Sequence, residues 1–150
     1  MPKNIVVDTS CLVVLEKIDA LDVLQKLYEK VFITDTIAEE FGSPLPEWIQ
    51  KKEIENKKYQ RLLQTSVDPG EASAIALVLE IGGLLIVDDI KARRIAEELS
   101  LDFTGTLGVL VEAKQNGHLN SFKEVLKRVK RTNFYLSEEL ERNLLNRVRE

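Results

Sequence analysis

Short apolar segments that end at an aspartate constrain the fold of this chain more than any other feature. Residues 4–7 (Asn-Ile-Val-Val) lead into Asp8, and residues 84–87 (Leu-Leu-Ile-Val) lead into Asp88. Apolar, β-branched runs of this length predict buried strands. The predicted strands cover residues 4–7, 31–34, 84–87 and 101–104. Both aspartates therefore fall at the carboxyl end of a predicted strand.

The segments between these strands carry helix signals. The predicted helices cover residues 10–27 with a break near Asp19, and residues 37–41, 68–81, 90–99, 107–115, 121–131 and 136–150. Thr36 and Glu39 have the spacing of a capping box, and so do Ser121 and Glu124. Each pair predicts the start of one of these helices. The charged stretch 51–61 predicts a further helix with one apolar edge. Apolar strands that alternate with helices are typical of an α/β protein with a mostly parallel sheet covered on both faces.

Composition narrows the class of protein. The 150 residues are 44% hydrophobic, which predicts a single domain over residues 1–150 with a buried core. The one cysteine, Cys11, lies in an apolar run and is interpreted as a buried hydrophobe rather than a nucleophile. The one histidine, His118, follows a turn signal. These counts argue against a disulfide framework, a histidine-based catalytic triad and a Cys/His zinc site.

Hydropathy and charge bear on location and partners. Glu80 interrupts the longest apolar region, and no apolar stretch reaches the ~20 residues that a membrane span needs. We therefore expect a cytoplasmic protein without a membrane partner. Residues 1–89 are acidic overall, whereas residues 90–150 carry a net positive charge. The basic part could face a polyanion, or it could simply form solvated helix faces.

Four carboxylates stand out at the predicted strand ends and on the neighbouring helices: Asp8, Glu40, Glu71 and Asp88. Sites in parallel sheets form at the carboxyl ends of the strands, where these four could converge. Clustered carboxylates repel one another unless they bind a hard cation, and Mg²⁺ and Mn²⁺ prefer oxygen ligands. Asp8 could instead cap the helix that follows it, and Glu71 could be the far half of a capping box whose N-cap is Asp68. Asp88 and Asp89 could be strand-end and N-cap residues. Glu40 could be a solvated helix charge.

Four segments around these acids resemble motifs of a known family. They are Val6-Val-Asp-Thr-Ser10, Ile33-Thr-Asp-Thr-Ile-Ala-Glu-Glu-Phe41, Gly70-Glu-Ala-Ser-Ala-Ile-Ala-Leu77, and Leu85-Ile-Val-Asp-Asp89 followed by Ala92 and Arg93. Together they resemble the PIN-domain family of metal-dependent nucleases over nearly the whole chain. The resemblance implies a three-layer α/β/α fold with a mostly parallel central sheet. It also implies cleavage of single-stranded RNA, frequently by the toxin of a toxin–antitoxin pair.

The resemblance assigns roles to individual residues. It implies that Asp8, Glu71 and Asp88 hold Mg²⁺ or Mn²⁺, that Glu40 completes the catalytic set, and that Ser10 orients the metal site. A metal held in this way can generate hydroxide from water and stabilise charge on a phosphoryl group.

The sequence departs from the commoner family pattern at one point. Many members place another aspartate after the next strand, but here the segment reads Thr104-Gly-Thr-Leu-Gly108. This version resembles a prokaryotic subgroup in which Thr-Gly-Thr replaces the acid. Thr106 is then expected to contact the metal through water or to hold the loop, and Asp89 is a supplementary ligand. Whether one or two metal ions bind is left open by this departure.

Basic residues near the predicted site are candidates for binding the RNA backbone. The first set, at the start of the helix after Asp88, is Lys91, Arg93 and Arg94. A second set on a later helix comprises Lys123, Lys127, Arg128, Lys130 and Arg131. An ordinary solvated face explains the second set as well, because that helix is amphipathic. The resemblance further implies a homodimer and an antitoxin partner.

Three other interpretations of the sequence compete with a catalytic PIN-domain nuclease. A haloacid dehalogenase-type phosphohydrolase needs a second aspartate two residues after the first, where this chain has Ser10. A receiver domain needs a lysine at a later strand end and would leave Glu40 and Glu71 unexplained. A PIN-like protein that binds RNA or protein as a regulatory module, with weak turnover or none, stays open because the further acid is missing.

Overall fold

The structure, a computed structural model, describes residues 4–150. Its strands are β1 (Asn4–Val7), β2 (Lys30–Ile33), β3 (Ile49–Lys51), β4 (Leu84–Ile86) and β5 (Phe103–Thr104). Its helices are α1 (Thr9–Lys17), α2 (Val23–Leu27), α3 (Asp35–Phe41), α4 (Lys57–Leu63), α5 (Pro69–Ile81), α6 (Ile90–Glu98), α7 (Thr106–Gln115), α8 (Phe122–Lys130) and α9 (Glu138–Arg147). The chain forms an α/β/α fold in which helices flank a central sheet, as the sequence predicts.

The sheet formed by residues 4–150 has five parallel strands in the order β3-β2-β1-β4-β5. The chain leaves β1 on one side for β2 and β3 and later returns to the other side for β4 and β5. The topological switch point therefore lies between β1 and β4, where ligands bind in open α/β sheets. In the register of these two strands Val7 pairs with Ile86, so the residues that follow them, Asp8 and Asp88, come out at the same edge.

Burial explains why these segments form strands and helices. Ile5, Val6 and Val7 are fully buried, as expected for the central strand of a covered parallel sheet. Helix α5 is buried along most of its length and packs against α3, α4 and α6. Helix α7 packs against α1, α2 and α8. None of the helices in residues 4–150 combines the length and the apolar character that crossing a membrane requires.

The structure adds one strand to the sequence-based prediction and corrects it at two other points. Strand β3 was not predicted, because it has only three residues and only Ile49 of them is buried. The helix predicted over residues 51–61 begins at Lys57. The predicted capping box of Thr36 and Glu39 is wrong, since Thr34 is the N-cap and its Oγ1 accepts from the backbone N of Ile37.

Other local predictions are confirmed. Ser121 caps α8, since its hydroxyl oxygen accepts from the Glu124 backbone N at 3.2 Å, but the Glu124 carboxylate is directed to Lys127 and does not complete the predicted box. Ser137 caps α9 in the same way as Ser121 caps α8. Cys11 is fully buried in the core, and His118 lies in the turn after α7. The helical segment 10–27 breaks after Lys17, close to the predicted position.

Candidate functional site

The candidate site lies at the carboxyl edge of the sheet, around the start of α1. Asp8 connects β1 to α1, and its backbone N donates to the carbonyl oxygen of Ile86 at 3.0 Å. This bond ties the end of β1 to the end of β4. Asp88 follows β4 two residues later, so the two strand-end aspartates flank the switch point. The remaining acids reach this edge from α3 and α5.

Asp8 is a buried carboxylate, only 3% exposed. It stands at the N-cap position of α1 but makes no side-chain capping bond, which disfavours the interpretation as a helix cap. Burial, together with the negative charges of Asp68 and Glu40, raises the pKa of Asp8 to about 7 in spite of hydrogen bonds from Thr9 and Ser10 that lower it. The Ser10 hydroxyl donates to Asp8 Oδ2 at 3.3 Å. Folding therefore places a carboxylate where its charge is disfavoured.

Glu71 is the second buried carboxylate, 8% exposed in the first turn of α5. It forms a complete capping box with Asp68: its backbone N donates to Asp68 Oδ1 at 2.8 Å, and its Oε1 accepts from the Asp68 backbone N at 3.1 Å. Burial raises the pKa of Glu71 to about 7, and the charges of Asp68, Asp8 and Asp89 add to the effect. Glu71 is thus both a capping residue and a buried acid that feels the charge of Asp8.

Asp88 is held by four groups and is 21% exposed at its side chain. Its Oδ1 accepts from the Thr106 backbone N at 2.8 Å, and its Oδ2 accepts from the Thr106 hydroxyl at 2.6 Å. The thiol of Cys11 donates to Oδ2 at 3.3 Å, and Arg93 Nη2 lies 3.9 Å from Oδ1. Thr106 therefore holds the Asp88 carboxylate directly, which agrees with the prediction that it supports the site.

Glu40 reaches the same edge from α3. Its Oε1 accepts a hydrogen bond of 2.6 Å from the hydroxyl of Thr9, the residue after Asp8. It also packs over Gly70, the residue before Glu71, so closely that a Cβ on Gly70 would collide with its carboxylate. The Glu40 carboxylate therefore contacts Thr9, the neighbour of Asp8, and lies against Gly70, the neighbour of Glu71.

The predicted RNA-contacting residues on α6 divide into two kinds. Lys91 and Arg94 are exposed. Arg93 turns back to the site: its Nε donates to the Val87 carbonyl oxygen at 2.9 Å, and its guanidinium carbon lies 5.6 Å from the centre of the Phe103 ring.

Asp89 is exposed and acts as the N-cap of α6, accepting from the Ala92 backbone N at 3.0 Å. The capping interpretation is therefore confirmed for Asp89, whereas Asp88 is held by Thr106 instead.

The second basic set, on α8, makes contacts away from these acids. Arg128 donates to the carbonyl oxygen of Ile18 at 3.2 Å, Lys127 lies 3.5 Å from Glu124, and Lys130 pairs with Glu141. The contacts of Arg128 and Lys130 tie α8 to its neighbours, the Lys127–Glu124 contact lies within α8, and Phe122, Val125, Leu126 and Val129 fill the core. An amphipathic helix with a solvated basic face accounts for this set.

The carboxylates of this site are suitable ligands for a divalent metal, but their side chains are not arranged around a common metal position. Buried carboxylates whose pKa values lie near 7 are the ligands that a hard cation would stabilise in the charged form. Among residues 4–150, however, no three His, Cys, Asp or Glu side chains already form a cluster that could hold a metal ion. Asp88 and Glu40 are instead turned toward hydrogen-bond donors of the protein.

Comparison with known proteins identifies the family. A family model described as a PIN domain matches residues 4–150. The chain belongs to the PIN-domain family. PIN domains are generally nucleases and typically use divalent metals, so membership supports a hydrolase activity in general terms. No curated protein matched the chain.

Some residues of this PIN domain's site have contacts that sequence reasoning did not predict. Thr9 was seen only as part of the first motif, yet its hydroxyl positions Glu40. Asp68 was predicted as a helix cap, yet its charge raises the pKa of both buried acids. Cys11 was predicted as packing, yet its thiol contacts Asp88. The sequence offered one signal for them: each lies within three residues of a predicted site acid.

Proposed function

We propose that this PIN domain is a metal-dependent endoribonuclease that hydrolyses phosphodiester bonds of single-stranded RNA. The observation that carries the proposal is the convergence of Asp8, Glu40, Glu71 and Asp88 on one edge of the sheet. Two of these acids are buried with pKa values near 7 in part because each feels charge from the other acids there. Such an arrangement is costly for folding alone and useful for binding a cation and a phosphate.

Asp8, Glu71 and Asp88 would hold Mg²⁺ or Mn²⁺ in this proposal. Such a metal lowers the pKa of water and offsets charge that develops on a phosphoryl group. Thr106 and Ser10 orient Asp88 and Asp8 by hydrogen bonds, as outer partners of metal ligands commonly do. Glu40 is exposed and held by Thr9, so it can accept a proton from solvent-side water.

The proposed reaction is hydrolysis. A water oxygen forms a bond to phosphorus while the bond from phosphorus to the leaving ribose oxygen breaks. The water loses a proton to a carboxylate of the site, and the leaving ribose oxygen gains a proton. Because the nucleophile is water, the reaction does not need the neighbouring ribose 2′-hydroxyl. Lys91 and Arg94, exposed on α6, would contact the phosphates that flank the cleaved bond.

The test is cleavage of single-stranded RNA that carries one 2′-deoxyribose at the main cleavage position. We expect cleavage with Mn²⁺ or Mg²⁺, no cleavage in EDTA, and a rate that the 2′-deoxy substitution changes little. Analysis of the product ends should show no cyclic phosphate. Loss of cleavage at the 2′-deoxy position, or cyclic phosphate products that persist in EDTA, would contradict metal-dependent hydrolysis.

A second candidate function is an RNA- or protein-binding regulatory module with weak turnover. The observation that favours it is the engagement of Asp88 by Thr106, Cys11 and Arg93, where many family members have a further acid. If this candidate is right, the protein binds RNA or a protein partner with the same affinity in Mn²⁺ and in EDTA, and no RNA is cleaved.

The family resemblance carries two finer parts of the proposal. We propose a homodimer that acts as the toxin of a toxin–antitoxin pair. Light scattering on the purified chain measures the oligomeric state. Growth arrest on expression, relieved by a co-expressed partner and abolished by Asp8→Asn, would support the toxin role. A monomer, or expression without any effect on growth, would contradict these parts while leaving the nuclease proposal intact.

A further inference from the structure

A groove of about 540 Å³ opens directly beside Asp88, on the β5 side of the candidate site. Its inner end, the part around Asp88, is formed by Asp88, Arg93 and Gly105, which lie close together. The lining also contains apolar and aromatic side chains, from Ile90, Phe103, Phe134, Tyr135 and Leu140. The groove therefore combines a charged end, which shares a proposed metal ligand, with apolar and aromatic side chains.

Tyr135 is the most exposed large side chain in the lining of this groove. It is 85% exposed, although its neighbours Phe134 and Leu136 are partly buried against the core. The loop that carries it is anchored: the Phe134 backbone N donates to Thr132 Oγ1 at 3.1 Å, and the Thr132 hydroxyl donates to the Val129 carbonyl oxygen at 2.7 Å. An anchored loop that leaves an aromatic ring open to solvent at a groove presents that ring for contact.

Arg93 supplies the charge at the inner end of the groove. Its guanidinium lies against the Phe103 ring and 3.9 Å from Asp88. The backbone at Gly105 lies very close to the ends of two side chains, since a Cβ on this residue would collide with Arg93 Nη2 and with Asp88 Oδ1. Position 105 thus needs glycine for the arginine and the aspartate to meet at this point.

We propose that this groove binds one nucleotide of the RNA strand next to the cleaved phosphodiester, with its base stacked on Tyr135 and its phosphate toward Arg93. The inference rests on the proposed nuclease function and names a base-stacking subsite for it. Exposed aromatic rings beside a cation are the combination that binds single-stranded nucleic acid without reading its sequence. The lining matches the chemistry of a nucleotide, because the Arg93 guanidinium suits a phosphate and the exposed Tyr135 ring suits a base.

The other cavities fit this ligand less well. One beside α3 and α4 is lined by Lys57 and Arg61 but by no aromatic ring. Another is almost wholly apolar, with Tyr59 and Leu62 at its mouth and no charged residue in its lining. The groove at Tyr135 combines aromatic walls, a cation and a proposed metal ligand, and neither of these two cavities does.

The test is binding of a short fluorescein-labelled single-stranded oligoribonucleotide, followed by anisotropy, with Ca²⁺ in place of Mg²⁺ to slow hydrolysis. We expect Tyr135→Ala to raise the Kd about tenfold, which is the loss expected for one base stack. Tyr135→Phe keeps the ring and should bind as the wild type does. Tyr59→Ala, which removes an exposed ring from the apolar cavity on α4, is the matched control and should also bind normally.

An oligonucleotide with one abasic position, moved along the strand, separates stacking from contact with the backbone. At one position the missing base should weaken binding to the wild type about tenfold and have no further effect on Tyr135→Ala. If the wild type binds RNA and Tyr135→Ala binds it equally well, the subsite is wrong and the groove serves another ligand, such as a protein segment. If the wild type binds no RNA at all, both the subsite and the proposed function are overturned.

Discussion

Thr106 holds both oxygens of Asp88, with its backbone N at 2.8 Å from Oδ1 and its hydroxyl at 2.6 Å from Oδ2. The segment around Thr106 stands where many members of the family carry a further acid. In this chain the position gives two hydrogen-bond donors to the strand-end aspartate instead of a second carboxylate. The charge at the edge of the sheet is thereby lower, and the orientation of Asp88 is fixed.

Thr106→Val is predicted to weaken metal binding and RNA cleavage by about 10- to 100-fold, the range seen when an outer partner of a metal ligand is removed. Valine has the shape of threonine but leaves Asp88 Oδ2 without the hydroxyl. Thr106→Ser keeps the hydroxyl and should retain most activity. Titration with Mn²⁺ and a cleavage assay on the three proteins check this. Equal activity of the valine and serine variants would show that the hydroxyl has no role.

Asp8→Asn is predicted to stabilise the metal-free protein at pH 8 by about 2–4 kcal/mol. Folding raises the pKa of Asp8 from 3.8 to about 7, so the folded protein holds this proton more tightly than the unfolded chain does. The associated stability is fully present below about pH 4 and is lost as the pH rises through 7. Asparagine carries no charge and avoids the loss.

Urea unfolding in EDTA at pH 5 and pH 8 measures this effect. The difference between Asp8→Asn and the wild type should be less than half as large at pH 5 as at pH 8. Asp102→Asn, at an exposed aspartate, is the control and should change the free energy of unfolding by less than about 0.5 kcal/mol at both pH values. A destabilised Asp8→Asn at pH 8 would mean that Asp8 is satisfied in its charged form by the protein alone.

Gly70→Ala is predicted to displace Glu40 while leaving the protein folded. The added Cβ meets the far end of the Glu40 side chain, which is exposed and can swing away. Because alanine favours helices over glycine, we expect little loss of stability. If Glu40 acts in cleavage, Gly70→Ala and Glu40→Ala should lower the rate by similar factors, and the double variant should be no worse than either. Additive losses would show that Gly70 matters for some other reason.

Glu150→Gln is predicted to destabilise the fold by about 1 kcal/mol at pH 7, the usual value of a helix cap. The Glu150 carboxylate accepts from the backbone N of Phe122 at 2.6 Å and of Lys123 at 3.1 Å, and Lys114 Nζ lies 3.2 Å away. Desolvation acts to raise the pKa of Glu150, but these donors outweigh it and lower the pKa below 4.5.

A lowered pKa fixes the sign of the pH dependence at Glu150. The stability that it contributes is present above pH 4.5 and is lost as the pH falls through the pKa of the folded protein. Thermal unfolding of the wild type and of Glu150→Gln should therefore differ at pH 7 and converge at strongly acidic pH. A difference that stays constant down to acidic pH would mean that the carboxylate charge is not involved.

The parallel sheet and its edge could be predicted from sequence because the signal is local. Val7 and Val87 end uninterrupted apolar runs, and Asp8 and Asp88 follow them directly. Strand β3 could not be predicted, since a three-residue edge strand has no period and depends on β2 to pair with it. The bounds of α4 and α3 shifted for a similar reason, because the caps Asn56 and Thr34 were not recognised as such.

The contacts inside the site could be predicted only in part. Convergence of the acids followed from strand order, whereas the hydrogen bond from Thr9 to Glu40 joins residues 31 positions apart and needs the packed structure. The groove at Tyr135 is a further case, because it is formed by the loop before α9 meeting β5 and α6. No pattern within residues 132–137 indicates where that loop will lie.

The most direct test of the account is cleavage of one single-stranded RNA by wild type, Asp8→Asn and Asp102→Asn, first in EDTA and then after adding excess Mn²⁺ or Mg²⁺. We predict no cleavage in EDTA, cleavage by the wild type and by Asp102→Asn once metal is added, and none by Asp8→Asn. Cleavage by Asp8→Asn at the wild-type rate, or cleavage that persists in EDTA, would contradict a carboxylate-held metal at this edge of the sheet.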